Sequence, residues 1–415
     1  MSVPGDKSVS HRSIMLGAIA QGETTVRGLL RGEDNMATLD AFRAMGVDVA
    51  DDGQMLRIAG RGLNGLQEPG DVLDCGNSGT SMRLLSGLLA GQRFYSVLTG
   101  DQYLRRRPMK RVIEPLSRMG GLIYGRDGGE KAPLAIIGRP LAGIDYRTPV
   151  ASAQIKSAIL LAGLYASGET RVQEPHLSRD HSERMLRYFG ADISCLSDGS
   201  VTIRGGRELQ GGEIVVPGDI SSAAFFLVAA LIVPGSELLI TGVGVNPTRT
   251  GIIDILQAMG GDIQLTNPRE VSGEPVADLL VRSSPLKGTV IEGELVTRAI
   301  DELPVACVAA AMAEGTTVIR DARELRVKET DRIRAMAVNL AAAGVMVQET
   351  EDGMSLDGRE FFDACQVQSF GDHRIAMSLI VAGLRSRGGI AVEDVACINT
   401  SFPVFFDLMA QVTEA

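Results

Sequence analysis

Two kinds of apolar segment alternate along the chain. In the first kind nearly every position is apolar, as in residues 158–166 and 223–233. A helix with no polar face is buried on all sides. In the second kind apolar residues recur at helical spacing. Met109, Val112, Ile113, Leu116 and Met119 form one stripe, Ile252, Ile253, Leu256 and Met259 another, and Ile333, Met336, Ala337 and Leu340 a third. That spacing predicts helices with one face on a core. Pro108 suits the first position of one such helix, and Asp180 with Glu183 reads as the capped start of another.

Each kind of helix runs into its own recurring phrase. After the all-apolar segments comes a glycine followed by threonine and β-branched residues, at 20–26, 166–172, 233–240, 313–319 and 386–392, with a weaker copy at 89–97. After the striped segments comes an apolar residue, a glycine and a strand, at 45–49, 119–123, 189–193, 259–263 and 343–347. Successive copies lie roughly 70 to 85 residues apart, the mark of an internally repeated fold. The pattern predicts six repeats, each with a buried helix, a half-exposed helix and several strands. Six repeats divide into two α/β domains of three, residues 1–216 and 217–415, with the boundary at the Pro-Gly-Asp turn before the fourth buried helix. The sixth repeat lacks its final glycine-strand phrase, so another segment must complete that sheet or it stays open.

Composition narrows the function. At 415 residues the chain exceeds one ordinary core. Aromatic residues are 4% of the total, there is no Trp, and the net charge is −10. That argues against stacking on bases and against a polyanionic partner. Any anion must meet cations concentrated locally. The five cysteines are scattered with no CxxC, and the four histidines form no HxxxH, so neither a disulfide framework nor a metal site is expected. A reducing cytoplasm fits that cysteine usage. No signal peptide is recognisable, and the most apolar run is too short to span a bilayer.

Every buried helix is preceded by a polar turn: residues 4–12, 76–83, 151–157, 217–222, 300–304 and 371–374. Asp, Ser and Asn in such turns are ordinary caps. Yet Lys7, Arg12, Arg83, Lys156 and Arg374 repeatedly stand in them. A helix N-terminus offers unpaired N–H groups and a positive dipole end to an anion. If the repeats pack around a pseudo-threefold axis, two facing domains aim these turns into one cleft suited to a highly anionic ligand pair. Arginines gather again at 104–111, and Lys328, Glu329 and Arg332 stand together at 325–332. Asp301 and Glu329 are carboxylates beside cations in separate repeats. Acidic groups in an anion site need a reason, and proton transfer supplies one; pairing with Lys328 or Arg332 is the plainer alternative. No complete P-loop, GxGxxG or GxSxG motif is present.

Together the stretches PGDKSVSHRS, GNSGTSMR, RPMKRV, ASAQIKSA, RVKETDR and GDHR resemble the EPSP synthase family, the 3-phosphoshikimate 1-carboxyvinyltransferases, over nearly the whole chain. The resemblance implies a two-domain inside-out α/β barrel, three βαβαββ units per domain, closing over its substrates. It implies transfer of the enolpyruvyl group of phosphoenolpyruvate to the 5-hydroxyl of shikimate 3-phosphate, without metal or organic cofactor, in a monomer. Lys7, Ser8, Arg12, Ser152, Ala153, Gln154, Arg179, Asp301 and Lys328 correspond to the shikimate 3-phosphate site. Lys7, Asn77, Gly79, Thr80, Arg107, Gln154, Arg332, His373 and Arg374 correspond to the phosphoenolpyruvate site. Lys7, Asp301 and Glu329 correspond to the catalytic groups.

The ASAQ and SRDH forms are similar to the second, glyphosate-tolerant class of the family, although Gly79 leaves room where a bulkier residue would crowd that inhibitor. There are two departures. Residues 399–402, Asn-Thr-Ser-Phe, carry no lysine where the first class has one. Only Met1, Ser2 and Val3 precede Pro4, where the family carries a longer segment with a strand for the other domain's sheet. With so short a start, stability is expected to be reduced, and an added upstream strand is expected to raise the melting temperature. Rival readings are the sister enzyme acting on UDP-N-acetylglucosamine, an inactive homologue, and a non-catalytic repeat protein such as a nucleic-acid clamp. The sister enzyme carries a reactive cysteine in its donor loop, and no cysteine lies between Cys75 and Cys195.

Overall fold

The computed structural model describes residues 1–413. The chain divides into two compact units. The N-terminal unit holds Gly5–Val216 and a short return, Val271–Glu274. The C-terminal unit holds Met1–Pro4, Pro217–Glu270 and the chain from Pro275 onward. Each unit has its own apolar core.

The six segments that follow the polar turns are helices at the centres of these cores. In the N-terminal unit they are Lys7–Ala18, Gly79–Ala90 and Ala153–Gly163. In the C-terminal unit they are Ile220–Ile232, Leu303–Ala311 and His373–Gly383. Every residue of Ile220–Ile232 and of Leu303–Ala311 is buried. These helices pack closely: a Cβ on Gly87 would stand 2.1 Å from the Ala158 carbonyl oxygen of the neighbouring core helix.

The polar turns do start the core helices. Asp6 accepts from Val9 N (2.8 Å), Ser78 from Ser81 N (3.1 Å), Asp219 from Ser221 N (2.8 Å) and Asp372 from Arg374 N (2.8 Å). Each satisfies an N–H that the helix cannot. At the other end of the striped helices, Gly46, Gly120, Gly190, Gly260 and Gly344 have φ between +82° and +100°. That conformation strains any residue with a Cβ, so glycine recurs there.

Two cap assignments differ from the sequence reading. The helix after Pro108 is Lys110–Arg118, capped at Met109, so Pro108 lies ahead of it. Asp180 does cap His181–Tyr188, but by position only. Its carboxylate pairs with Arg184 at 2.8 Å, and Glu183 turns inward to Lys156 at 2.7 Å. Buried pairing has overridden the local capping box.

The sheets of the N-terminal unit link the repeats in a ring. Each repeat's leading strand pairs antiparallel with its own hairpin and parallel with the last strand of the repeat before. Leu73–Asp74 pairs with Tyr95–Thr99, Asp145–Arg147 with Glu169–Gln173, and Leu209–Gln210 and Glu213–Val215 return to Ala20–Arg27. The C-terminal unit follows the same rule at Val290–Ile291 with Thr316–Ile319, while Phe362–Gln368 and Ser386–Glu393 pair parallel in a sheet of two strands, so the sixth repeat's sheet stays open. Its remaining parallel position, beside Glu237–Gly244, is taken by the start of the chain. Ser2 bridges Thr241, and Met1 accepts from Thr241 N at 2.9 Å. After the sixth repeat the chain is anchored by Phe402 and Phe405, whose rings meet each other, Phe225 and Phe226 with centroids 5.4–6.1 Å apart.

Candidate active site

The turns before the three core helices of the N-terminal unit bring their charged groups together. Lys7 pairs with Asp34, and Asn35 Nδ2 donates to Lys7 O at 3.1 Å. Arg12, one turn into its helix, donates through Nε to Ser182 Oγ (2.7 Å), through Nη2 to Ser157 Oγ (2.8 Å) and through Nη1 to Ser8 O (3.0 Å). Burial brings its pKa down to about 10 against the pull of Glu183 and Asp6, so it stays charged at neutral pH.

The second turn is built around Gly79, the first residue of its helix. A Cβ there would lie 2.9 Å from Arg83 Nη1 and 3.1 Å from Arg107 Nη1, so two guanidinium groups converge where a side chain would stand. Asn77 bridges Arg107 and Asp101. Gln154, from the third turn, donates to Thr80 Oγ1 at 3.0 Å and accepts from Arg83. Ser152 and Ala153 open that third helix, with Ser152 N donating to Glu174 at 2.8 Å. Arg179 lies near enough to Arg12 for the two charges to repel. Lys7, Ser8, Arg12, Asn77, Gly79, Thr80, Arg107, Ser152, Ala153, Gln154 and Arg179 thus all fall on loops and helix starts of one unit.

The other candidates fall in the C-terminal unit and centre on one guanidinium. Arg332 is 1% exposed and meets three carboxylates. Its Nε donates to Asp372 at 2.8 Å, Nη2 to Glu329 at 2.7 Å and Nη1 to Asp301 at 3.2 Å. Burial alone would favour the neutral form, but Asp372, Glu329 and Asp301 outweigh it and raise the pKa above the usual arginine value. Asp301 also accepts from Lys328 Nζ at 3.3 Å, and its carbonyl accepts from Arg374 Nη1 at 3.0 Å. His373 Nδ1 lies 3.3 Å from Thr400 Oγ1, in the segment without the lysine. Asp301, Lys328, Glu329, Arg332 and Arg374 therefore form one network, with His373 beside Arg374 at the start of the same helix.

Several partners were not foreseen. Asp34 holds Lys7, Asp372 holds Arg332, and Glu302 lies 3.9 Å from Arg374 and 3.4 Å from buried Arg249. Asp372 carried one signal, its place in the GDHR turn; Asp34 and Arg249 carried none. Among the described residues no group of three His, Cys, Asp or Glu could hold a metal ion. None of the described helices is long and apolar enough to cross a membrane.

Comparison with known proteins identifies the family. The family described as EPSP synthase (3-phosphoshikimate 1-carboxyvinyltransferase) matches residues 1–409. A 3-phosphoshikimate 1-carboxyvinyltransferase of Geobacter metallireducens is 74% identical over 412 residues, covering 99% of this chain and 96% of the relative. One from Geobacter sulfurreducens is 72% identical with the same coverage. The solved EPSP synthase of Acinetobacter baumannii superposes with a TM-score of 0.89 at 49% identity, over 99% of this chain and 95% of that one. With agreement in sequence and fold over 99% of its length, the chain belongs to the EPSP synthase family, whose reaction is enolpyruvyl transfer from phosphoenolpyruvate to shikimate 3-phosphate.

Proposed function

We propose that the reaction runs by addition and elimination on the side chains described above. The 5-hydroxyl oxygen of shikimate 3-phosphate attacks C2 of phosphoenolpyruvate and gives its proton to a carboxylate. A second, protonated carboxyl delivers a proton to the C3 methylene, making a methyl group. The tetrahedral intermediate then breaks its C2–O bond to phosphate, and the methyl group returns a proton to a carboxylate. Phosphate leaves, taking the proton that the first carboxylate received from the hydroxyl, and 5-enolpyruvylshikimate 3-phosphate remains. Asp301 and Glu329 are the proton-transfer groups in this reading. The observation that carries it is that both share the buried Arg332 while remaining partly open, with side chains 13% and 22% exposed.

Lys7, Ser8, Arg12, Ser152, Ala153, Gln154, Arg179, Asp301 and Lys328 would hold shikimate 3-phosphate. Lys7, Asn77, Gly79, Thr80, Arg107, Gln154, Arg332, His373 and Arg374 would hold phosphoenolpyruvate. Support comes from cations at the N-termini of core helices, where dipole and side chain act on an anion together. Arginine suits carboxylate and phosphate because its fork can bind them bidentately. No metal or organic cofactor is assigned a step.

The same reading makes each unit an inside-out α/β barrel of three repeats, split at residues 216 and 217, consistent with helices at the centre of each core and repeats linked strand to strand. It makes the protein a cytoplasmic monomer, which light scattering would test. It also places the chain in the second class of the family; a glyphosate inhibition curve decides that point, and strong inhibition at low micromolar concentration would contradict tolerance.

Asp301→Asn and Glu329→Gln test the mechanism. Each is expected to lower kcat by about 10²- to 10⁴-fold, the usual worth of a positioned acid or base. Quenched single-turnover reactions should show the tetrahedral intermediate accumulating in the variant that lacks the elimination base. Full activity in either variant would remove that residue from the mechanism.

A further inference from the structure

A buried lysine in the N-terminal unit takes no part in the steps above. Lys156 lies between Glu174 and Glu183, all three side chains being 2–3% exposed. Its Nζ is 2.8 Å from Glu174 Oε2 and 2.7 Å from Glu183 Oε1. Burial would favour a neutral amine, but Glu183 and Glu174 hold the lysine protonated. Such buried charge is no efficient source of stability, since a packed apolar trio often serves as well.

What the cluster reaches is more informative. Glu174 Oε1 accepts from Ser152 N at 2.8 Å. Its Oε2 accepts from Ser178 Oγ at 2.8 Å and from Ser178 N at 3.3 Å. Lys156 Nζ donates in addition to Ser178 O at 3.4 Å. One carboxylate therefore ties the turn carrying Ser152, Ala153 and Gln154 to the loop carrying Arg179. Beyond Glu183, Ser182 and Ser157 bond each other at 2.6 Å and both accept from Arg12, so the first core helix joins the same buried network.

We propose that Glu174, oriented by Lys156, is a positioning residue that locks the Ser152 turn to the Ser178–Arg179 loop and so preorganises the shikimate 3-phosphate side of the site. This rests on the reading of Ser152, Gln154 and Arg179 as shikimate 3-phosphate ligands. Without the clamp the substrate itself must order two loops as it binds, and that cost falls on its own affinity. Most of the phosphoenolpyruvate ligands lie on other turns, and the reacting carboxylates lie in the C-terminal unit, so neither donor affinity nor the chemical step should change in proportion.

Steady-state kinetics of the full-length protein test this with Glu174→Gln, Ser178→Ala and Gln154→Ala, each with its melting temperature. Glu174→Gln keeps the shape of the side chain but removes its charge. It is expected to raise KM for shikimate 3-phosphate about tenfold, the scale of a charged hydrogen bond, with kcat and KM for phosphoenolpyruvate within about twofold. Ser178→Ala removes one hydroxyl from the clamp and should shift the same constant in the same direction with the melting temperature unchanged; it decides the matter if Glu174→Gln does not fold. Equal rises in both KM values, or a lower melting temperature with KM for shikimate 3-phosphate unchanged, overturn the positioning role. If Gln154→Ala leaves that KM unchanged, the ligand assignment itself fails and the clamp's role falls with it. If Gln154→Ala raises it and the clamp variants do not, only the clamp is wrong.

Discussion

His11 lies 0% exposed in the first core helix, with Nδ1 2.8 Å from Thr38 Oγ1. Burial first, then the charges of Lys7 and Arg12, lower its pKa well below 6.5. The folded protein therefore keeps this imidazole neutral at pH values where the unfolded chain protonates it. The stability tied to His11 is present above pH 6.5 and is lost as the pH falls from there toward the folded value. The urea midpoint is expected to drop as the pH is lowered from about 7 to about 5.5, with a shallower slope in His11→Asn. Equal slopes would show that His11 does not carry the effect.

Residues of this kind divide by legibility. The cations were readable because Lys7, Arg12, Arg83, Lys156 and Arg374 stand in or near the polar turns before the core helices, and Arg107 and Arg332 in the charged stretches at 104–111 and 325–332. Asp34 was not, because a carboxylate among 51 Asp and Glu reads as solvated charge until the fold sets it against Lys7.

At the scale of the element, the turn before the Gly79–Ala90 helix shows why its first residue is glycine. The guanidinium groups of Arg83 and Arg107 lie where a methyl group would need them to retreat. Gly79→Ala is expected to leave the melting temperature nearly unchanged and to raise KM for phosphoenolpyruvate several-fold, with a smaller effect on shikimate 3-phosphate. An unchanged KM for phosphoenolpyruvate would take that turn out of the donor site.

Helix existence was legible from the two apolar patterns, and helix starts from the polar turns, because caps and periodicity are local. Pro108 and Glu183 mark where local reasoning ended. Pro108 stands two residues ahead of its helix, and Glu183 forgoes the cap for a buried lysine 27 residues earlier in the chain, a partner that helix signals do not reveal.

For the molecule as a whole, the repeated phrases made six units and two sets of strands readable. The order in which strands from successive repeats pair was not readable, since parallel pairing between distant segments leaves no periodic trace. Least legible was the strand-like start of the chain, where Met1 and Ser2 fill the parallel position beside Glu237–Gly244 through a few backbone bonds.

Phosphate release ties these scales together. Purified protein is mixed with phosphoenolpyruvate alone, then with shikimate 3-phosphate added, and inorganic phosphate is followed in time. Release that begins only when both substrates are present, and that matches the enolpyruvyl product mole for mole, is the predicted result. Release from phosphoenolpyruvate alone, or none from well-folded protein with both present, would contradict enolpyruvyl transfer on this site.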